Sequence, residues 1–531
     1  MSKGAWLVVW SVALFSILAV DRWAATASVN RKKERGYPPA SVVQYDTNLT
    51  DDQLLELARL QSRATSTRSG RLGVIQPGKK GLITMMDDQD MRIIQAVKRA
   101  LQERGADIDA IRTSDLLEMY GYPAEWARPM MNRLDPSLRP FIWELKSYFA
   151  GGLGFFSPEA RKLIPQEDED LIIQAQKAFD AKLDATKKYL DSHPEYEYAF
   201  LDYSPGGPEF SRLNFVLGSK FQIGWRIPTV SALIEEGTIP GEIRNAMEDK
   251  LMEVIPWIEH VRVTDPEGTD LEWSVTPEEA KIWRMGAYMP DYLRMYPLQA
   301  CRFLYQSYGT KRVVAPEAKG VIAGTMGHGH FFPRIVMKVE KGLVTAIEGG
   351  GVRGELMRDL LNKYKDIQLP YLPHPGWFYV FQIFLATNVR DGGGGIIWGF
   401  GPELYIPEIL EYGKKHGVPI AHDMHMNQFY PTYEATVTGG KKIKLLDKGY
   451  IVASEDPEVR MIASKYGDPD ELLRHLNRRP IPGVNAAGSY ADYAKDPWQY
   501  MVQERDQIKA GTYPYLVKMK PLQLQEPRGK N

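Results

Sequence analysis

Hydrophobic positions in the first half of the chain recur at the spacing of amphipathic helices and short buried strands. Apolar residues of segment 51–63 lie on or near one helical face, which predicts a helix. The apolar run 81–86 predicts a strand, and the helix that follows is expected to begin at Asp87 and Asp88 as its cap. A further helix is predicted over 169–190. Alternating strands and helices favour a parallel α/β sheet here.

The pattern changes near residue 255, after which short β-like runs are separated by glycine and proline. Such spacing is typical of a β-rich domain. The predicted strands are 261–263, 271–275, 334–339 and 343–347. Helical patterns return near the carboxyl terminus, over 457–466, 468–477 and 497–510.

The amino terminus carries an uncharged apolar segment, residues 4–20. Its length lies between that of a signal-peptide core and the minimum for a membrane-spanning helix, so two interpretations stay open. If the segment is retained, it anchors the chain in a membrane, and the basic residues after it would place the body in the cytoplasm. If it is cleaved, the body is exported to the periplasm.

Composition excludes several classes of function. Lys and Arg number 66 against 67 for Asp and Glu in 531 residues, so no net basic field exists and nucleic acid is not an expected partner. Cys301 is the one cysteine. An intramolecular disulfide, a cysteine-based zinc site and a cysteine-ligated iron–sulfur cluster are therefore excluded.

A glycine-rich motif, Gly349-x-Gly351-x-x-Gly354, superficially matches a dinucleotide-binding fingerprint. A Rossmann unit also needs a following strand that ends in an acidic residue, and segment 368–373 is interrupted by prolines. The motif is therefore interpreted as a glycine-rich turn that enters a helix.

Four of the nine histidines fall in two tight pairs, His328 with His330 and His422 with His425. Residues two apart on a strand point to the same face, so the first pair could reach one ion. Imidazoles suit Zn, Fe, Cu or Ni, and a nearby carboxylate would complete the set. Hydrogen-bonded loop histidines are the alternative, but a cluster favours metal ligation. The carboxylate candidates are Asp423, Glu434, Glu348 and Glu403.

The stretch Val261–Leu271, which ends in Gly-Thr-Asp-Leu, would by itself indicate a turn that leads into a strand. It resembles the Gly-Thr-Asp-Leu stretch that opens the catalytic domain of the aminopeptidase T family of metallopeptidases. The same superfamily contains iron(II)-dependent 2,5-dihydroxypyridine dioxygenases, so the resemblance does not fix the reaction. Looser similarity covers segments 81–106, 342–350, 386–389 and 441–452.

The resemblance implies an altered set of metal ligands. The family's Gly-Glu-x-Phe-Thr-x-Pro segment falls on 327–333, so His328 replaces a glutamate ligand. A second glutamate falls on Gln382, a histidine ligand falls on His422, and the last ligand pair falls near Glu434. Two metal ions need bridging carboxylates to offset their repulsion. One divalent ion, Fe or Zn, is therefore expected, with ligands His328, His330, His422 and Glu434.

Three functions follow as hypotheses. The first is a metal-dependent enzyme that hydrolyses an amide or peptide bond with metal-activated water. His425 or Asp423 would orient a metal ligand or act as general base, and Tyr430 would contact the substrate. The second is a mononuclear non-haem iron(II) dioxygenase that cleaves a hydroxylated aromatic ring, and the third is a non-catalytic binding protein. The expected partners are a small molecule or peptide, and members of the resembling family are often dimers, so a homodimer is one expected assembly.

These inferences predict an α/β N-terminal domain followed by a β-rich α+β metal-binding domain. The signal peptide or anchor with its linker would occupy 1–35, the α/β domain 36–255, the catalytic and metal-binding domain 256–455, and a helical extension 456–531.

Overall fold

A computed structural model provides the fold. It describes residues 35–63, 72–128, 153–202, 216–225, 227–237, 239–276, 288–289, 292–295, 317–327, 330–370, 372–390, 395–401, 407–419 and 424–521.

The first half combines helices with a parallel sheet. Four strands pair in the order Asp107–Arg112, Lys80–Met85, Tyr196–Leu201 and Phe221–Gly224, and all three pairings are parallel, as the alternating pattern predicts. The elements are β1 (Val42–Tyr45), α1 (Asp51–Ser62), β2 (Lys80–Met85), α2 (Met91–Gln102), β3 (Asp107–Arg112), α3 (Thr113–Met119), α4 (Pro158–Arg161), α5 (Gln166–Ser192), β4 (Tyr196–Leu201), β5 (Phe221–Gly224), α6 (Val230–Gly237) and α7 (Gly241–Val254).

Helix α2 shows how local chemistry sets an element's bounds. Asp90 caps it by accepting a hydrogen bond from the backbone N–H of Arg92. The cap was predicted at Asp87 and Asp88, but the chain first forms a turn in which Gln89 N–H donates to the Met86 carbonyl. The helix cap therefore lies two residues beyond the predicted cap at Asp88. Ile94, Val97 and Leu101 on its apolar face are buried, whereas Met91 in its first turn is exposed.

Antiparallel sheets dominate the second half. The elements are β6 (Ile258–Thr264), β7 (Asp270–Ser274), β8 (Tyr288–Met289), β9 (Tyr292–Met295), β10 (Lys319–Gly327), β11 (His330–Glu340), β12 (Leu343–Gly349), α8 (Gly351–Tyr364), β13 (Val380–Ala386), β14 (Ile396–Phe400), α9 (Pro407–His416), β15 (Met424–Gln428), β16 (Thr432–Val437), β17 (Lys441–Asp447), β18 (Tyr450–Ile451), α10 (Pro457–Ala463), α11 (Pro469–Leu472), α12 (Tyr490–Tyr493), α13 (Pro497–Ala510) and β19 (Leu516–Met519).

Two sheets of the second half lie against each other. The larger has the order β12-β11-β10-β7-β6-β16-β17-β18, and the smaller has the order β15-β14-β13-β9-β8. Side chains of both enter one apolar core, which also takes residues from α5 and α7. Gly324 on β10 lets Met426 on β15 approach, because a Cβ there would lie 2.9 Å from the Met426 sulfur. This contact places β10 beside β15, where the histidine-bearing segments are.

The glycine-rich motif connects β12 to α8 rather than two parallel strands. Gly349 and Gly350 have φ values of 73° and 83°, a left-handed conformation that glycine adopts at little cost. Strand β12 pairs antiparallel with β11. The prediction of a turn that enters a helix agrees with this geometry.

The two ends of the described chain meet. Strand β1 pairs in parallel with β19, so Val42 lies opposite Leu516. Farther upstream, Ser41 N–H donates to the Arg478 carbonyl. The carboxyl-terminal segment therefore runs back across the protein and contacts both halves.

The predicted membrane localisation is corrected by the structure. No helix among the described residues is long and apolar enough to cross a membrane, and an N-terminal anchor gains no support. Segment 4–20, on which that prediction was based, lies outside the described residues.

The fold class is a mixture of helices and sheets. Parallel pairing links the strands between residues 80 and 224, and antiparallel pairing links those between 258 and 451. The domain boundaries at 35, 255 and 455 stay predictions.

Candidate functional site

The structure brings the two histidine-bearing segments together. Strand β10 ends at Gly327, β11 begins at His330, and these two residues lie opposite each other. A Cβ on Gly327 would lie 2.3 Å from the carbonyl oxygen of His425 on β15. Because only glycine permits this approach, the end of the β10–β11 hairpin packs directly on the backbone of the second segment.

His328 connects the two strands and lies outside the described residues, as do His422 and Asp423 just before β15. His330 is the first residue of β11. The expectation that His328 and His330 occupy one strand stays a prediction, because only His330 of this pair is described.

His425 lies in a dry, aromatic environment. Its side chain is buried, and its ring meets Phe384 edge-on with centroids 5.8 Å apart. The Arg353 guanidinium donates to the His425 carbonyl at 3.5 Å and lies 4.4 Å from the centre of the Phe332 ring. These groups exclude water from one side of the place where the histidine segments meet, which strengthens polar interactions there.

Glu434 is not brought to this place. It lies on β16, four strand positions from β11 in the sheet order, which is roughly 19 Å at the usual strand spacing. Its carboxylate binds the Lys442 ammonium at 2.9 Å, and Arg262 is its partner on β6. An acid that already has cationic neighbours is a poor ligand for a distant ion.

Tyr430 is buried and forms hydrogen bonds with the carboxyl-terminal segment. Its hydroxyl donates to the Arg479 carbonyl and accepts from the Asn485 amide at 2.6 Å. Burial raises its pKa, so the phenol stays neutral near physiological pH. Its role as a substrate contact stays a prediction.

The described residues support a metal site only in part. Within the described ranges, no group of three or more His, Cys, Asp or Glu side chains is arranged to hold an ion. The imidazoles of His330 and His425 belong to segments that converge, and their chemistry suits zinc or iron. The rest of the predicted donors lie outside the described residues, apart from Glu434.

A second cluster, which the sequence pattern did not reveal, lies in the turn between β6 and β7. Asp265 and Glu267 are both buried, with exposed fractions of 8% and 1%. The Asp265 Oδ1 atom accepts from the Glu267 N–H at 2.9 Å. The Glu267 Oε1 atom accepts from the Thr325 hydroxyl at 2.7 Å and from the Tyr490 hydroxyl at 3.3 Å. We call Asp265 and Glu267 the acid pair.

The electrostatics of the acid pair are unusual. Burial raises the pKa of both carboxyl groups above the usual range, and the charge of Asp265 raises that of Glu267 further. Arg334 is nearby, but its Nε donates to the Glu267 backbone carbonyl at 2.7 Å. Gly268 leaves room for this side chain, because a Cβ there would lie 2.2 Å from an Arg334 nitrogen.

Sequence reasoning assigned the acid pair to an ordinary turn, and turn carboxylates are mostly exposed. Tyr490 donates to Glu267, and Tyr493 reaches Thr325. Both tyrosines lie more than 220 residues downstream and carry no motif. The one local signal was the pair of acids on either side of Pro266. That signal does not distinguish a buried pair from a solvated one.

No family model and no curated protein matches this chain. Among solved structures it is similar to a 2,5-dihydroxypyridine dioxygenase from Pseudomonas putida KT2440, with 12% identity, a TM-score of 0.39, and coverage of 77% of this chain and 99% of the other. It is also similar to wild-type AmpT from Thermus thermophilus, with 12% identity, a TM-score of 0.32, and coverage of 75% and 99%. The likeness is distant, and the function has to be argued from this chain's own residues.

Proposed function

We propose that this protein is a metal-dependent enzyme that holds one divalent ion, Fe or Zn, between the β10–β11 connection and the start of β15. The observation that carries the proposal is the packing of Gly327 on the His425 carbonyl. This contact supports a common site for both histidine pairs, because residues adjacent to a close backbone contact can share a ligand.

The proposed ligands are His328, His330 and His422, with Asp423 as the carboxylate. Asp423 replaces Glu434 because it is adjacent to His422 in the sequence, whereas Glu434 is distant and paired with Lys442. Three imidazoles and one carboxylate suit a single zinc or iron ion. Such an ion, when bound, lowers the pKa of a coordinated water and so supplies a nucleophile near neutral pH.

Other buried residues form the surroundings of the proposed site. Phe332, Phe384 and Arg353 keep water from one side of His425. His425 is proposed as the group that orients a ligand or holds a proton during amide hydrolysis. The substrate class is an amide or a peptide, as the sequence resemblance implies.

A ring-cleaving iron(II) dioxygenase is the second candidate. The aromatic contact of Phe384 with His425 favours it, because a flat hydroxylated substrate would pack well beside such rings. The scarcity of carboxylates, which fits one ion rather than two, is common to both candidates.

Metal content tests the proposal. Elemental analysis of the chain, purified anaerobically without a His tag, is expected to show about one Fe or Zn per chain. The double variant His328→Ala/His422→Ala is expected to lose it. His260→Ala is the matched control, because His260 pairs with Glu272 on the half-exposed surface of β6. Retention of the metal by the double variant would refute the proposed ligand set.

Activity separates the two candidates. Amide cleavage under strict anoxia would support hydrolysis, since no oxygen is available. Oxygen uptake with a dihydroxylated aromatic substrate would support the dioxygenase. A metal-free protein, even after reconstitution with Fe or Zn, would contradict both.

A further inference from the structure

The acid pair is surrounded by oxygen atoms from three parts of the chain. Asp265 and Glu267 come from the β6–β7 turn, Thr325 comes from β10, and Tyr490 and Tyr493 come from α12. The Tyr493 hydroxyl lies 3.1 Å from the Thr325 hydroxyl, which in turn donates to Glu267. Thr325 and Tyr493 are fully buried. The cluster therefore offers carboxylate and hydroxyl oxygens with no nitrogen or sulfur ligand among them.

One oxygen of each acid lacks a partner. Asp265 Oδ2 and Glu267 Oε2 are buried, and neither has a hydrogen-bond partner among the described residues. Their other carboxylate oxygens accept hydrogen bonds. Two acids that are each half satisfied, side by side in the interior, leave the kind of deficit that native structures fill with an ion, a water or a proton.

The positive charge near the acid pair does not remove this deficit. Within the described ranges no Lys, Arg or His nitrogen lies within ion-pair distance of either carboxylate, and Arg334 binds a backbone oxygen instead. The Arg334 charge lowers the pKa of Glu267, but burial and the charge of Asp265 raise it by more. Buried charges that are only partly compensated are destabilising, so the folded protein has to neutralise the pair.

We propose that the acid pair, with the hydroxyls of Thr325, Tyr490 and Tyr493 around it, binds a hard divalent cation of the Ca²⁺, Mg²⁺ or Mn²⁺ class. Hard cations prefer oxygen ligands, and they accept carboxylates, hydroxyls, backbone carbonyls and water in one shell. Such a site needs only two acids, which is why it is compatible with the absence of a larger His, Cys, Asp and Glu group among the described residues.

A cation bound here would connect three segments that are distant from one another in the sequence. It would tie the β6–β7 turn and β10 to the carboxyl-terminal segment that carries α12. Tyr490 is half-buried and its hydroxyl reaches Glu267, so it marks the side from which an ion would enter. Cation binding is therefore expected to stabilise the folded chain.

This site is separate from the histidine site of the proposed function. It uses oxygen ligands in place of imidazoles, and no residue is shared between the two. Loss of one therefore does not imply loss of the other.

Cation binding to the full-length chain tests the proposal. After treatment with a chelator, the protein is titrated with Ca²⁺, Mn²⁺ or Tb³⁺ at about pH 8, and tyrosine-sensitised Tb³⁺ luminescence reports occupancy. One Tb³⁺ per chain is expected, displaced by Ca²⁺. Saturating Ca²⁺ is expected to raise the Tm by about 2 °C.

Three variants locate the ion. Glu267→Gln removes one charge while keeping the shape, and is expected to weaken binding about tenfold or more. Tyr490→Phe removes one hydroxyl, keeps the ring, and is expected to weaken binding by about threefold. Asp270→Asn is the matched control, because Asp270 lies three residues away on the exposed surface and pairs with Arg262 at 2.7 Å.

The outcomes are distinct. Weaker binding in Glu267→Gln and Tyr490→Phe with unchanged binding in Asp270→Asn supports the site, and so does retained Tb³⁺ binding in the His328→Ala/His422→Ala variant. Equal binding by wild type and Glu267→Gln overturns it. Absence of binding to wild type also overturns it, and would mean that a shared proton neutralises the acid pair.

Discussion

Two carboxyl sites, a half-buried one in the first half of the chain and a buried one in the second half, satisfy their oxygens differently. Asp202 follows β4 and accepts hydrogen bonds at 2.6 Å from the hydroxyls of both Thr84 and Thr113. These threonines lie at the carboxyl ends of β2 and β3, so the three residues tie neighbouring parallel strands together. The acid pair, Asp265 and Glu267, instead leaves one oxygen of each carboxylate without a partner.

The difference shows what burial alone does to an acid. Burial raises the pKa at all three residues, because an apolar environment disfavours the charged form. At Asp202 two hydroxyl donors oppose this shift. At the acid pair a second carboxyl adds to it. A raised pKa is therefore shared by a structural acceptor and by the site proposed to bind an ion. The hydrogen-bond partners distinguish the two.

Removal of the Asp202 carboxylate is expected to cause the largest loss of stability. Asp202→Ala leaves the fully buried Thr84 and Thr113 hydroxyls without their acceptor, so the free energy of unfolding should fall by about 3 kcal/mol. Asp202→Asn keeps an accepting oxygen and should lose less than about 1 kcal/mol. Urea unfolding at neutral pH measures both. Equal stability of Asp202→Ala and wild type would show that Asp202 is not a structural acceptor.

The second-largest loss of stability is expected at the end of the β10–β11 hairpin. Gly327→Ala places a methyl group against the His425 carbonyl, which should lower the free energy of unfolding by about 2 kcal/mol and displace the histidine segments. Gly36→Ala is the control, because a Cβ at Gly36 has no neighbour within 4 Å. Calorimetry and metal content are the measurements. A Gly327→Ala protein with wild-type stability would contradict the close packing.

The smallest expected effect is a change in how the free energy of unfolding depends on pH. The folded acid pair keeps protons at pH values where the unfolded chain has released them, so the free energy of unfolding falls as pH rises from the usual carboxyl range through the raised values. Glu267→Gln removes one such group. In chelator, its loss of stability between pH 5 and pH 9 should be smaller than that of wild type by about 1 kcal/mol or more.

Asp270→Asn is again the control for that comparison. The Arg262 guanidinium lowers the pKa of Asp270 on the exposed surface, and exposed pairs contribute less than about 1 kcal/mol. Its pH profile between pH 5 and pH 9 should match that of wild type. An identical fall in Glu267→Gln and wild type would show that the pair does not titrate as described.

The regular elements were largely predictable. Helix α13 has the bounds 497–510 that its pattern indicates, and α5 extends the predicted 169–190 by a few residues at each end. Segment 468–477 was predicted as a helix, yet only Pro469–Leu472 is helical. Local periodicity identifies an element's type well, but the contacts that end it come from elsewhere in the chain.

The candidate sites were predictable to different degrees. Two histidine pairs stand out in the sequence, and their convergence depends on Gly327, whose role becomes visible only when β10 meets β15. Glu434 was chosen by resemblance, and sheet order then separated it from His330. Strand order in an antiparallel sheet follows from long-range pairing, which periodicity does not encode.

Local composition and periodicity indicated most of the helices and strands, the change from an α/β to a β-rich pattern, and the presence of metal-binding residue types. Each of these depends on neighbours within a few positions. The tertiary structure decided which of these residues share an environment. Asp265 and Glu267 are buried in the folded chain, where Thr325 and Tyr490 from distant segments donate to Glu267. Burial is a property of the whole chain, and it determines whether a carboxylate in a turn is a solvated charge or a binding site.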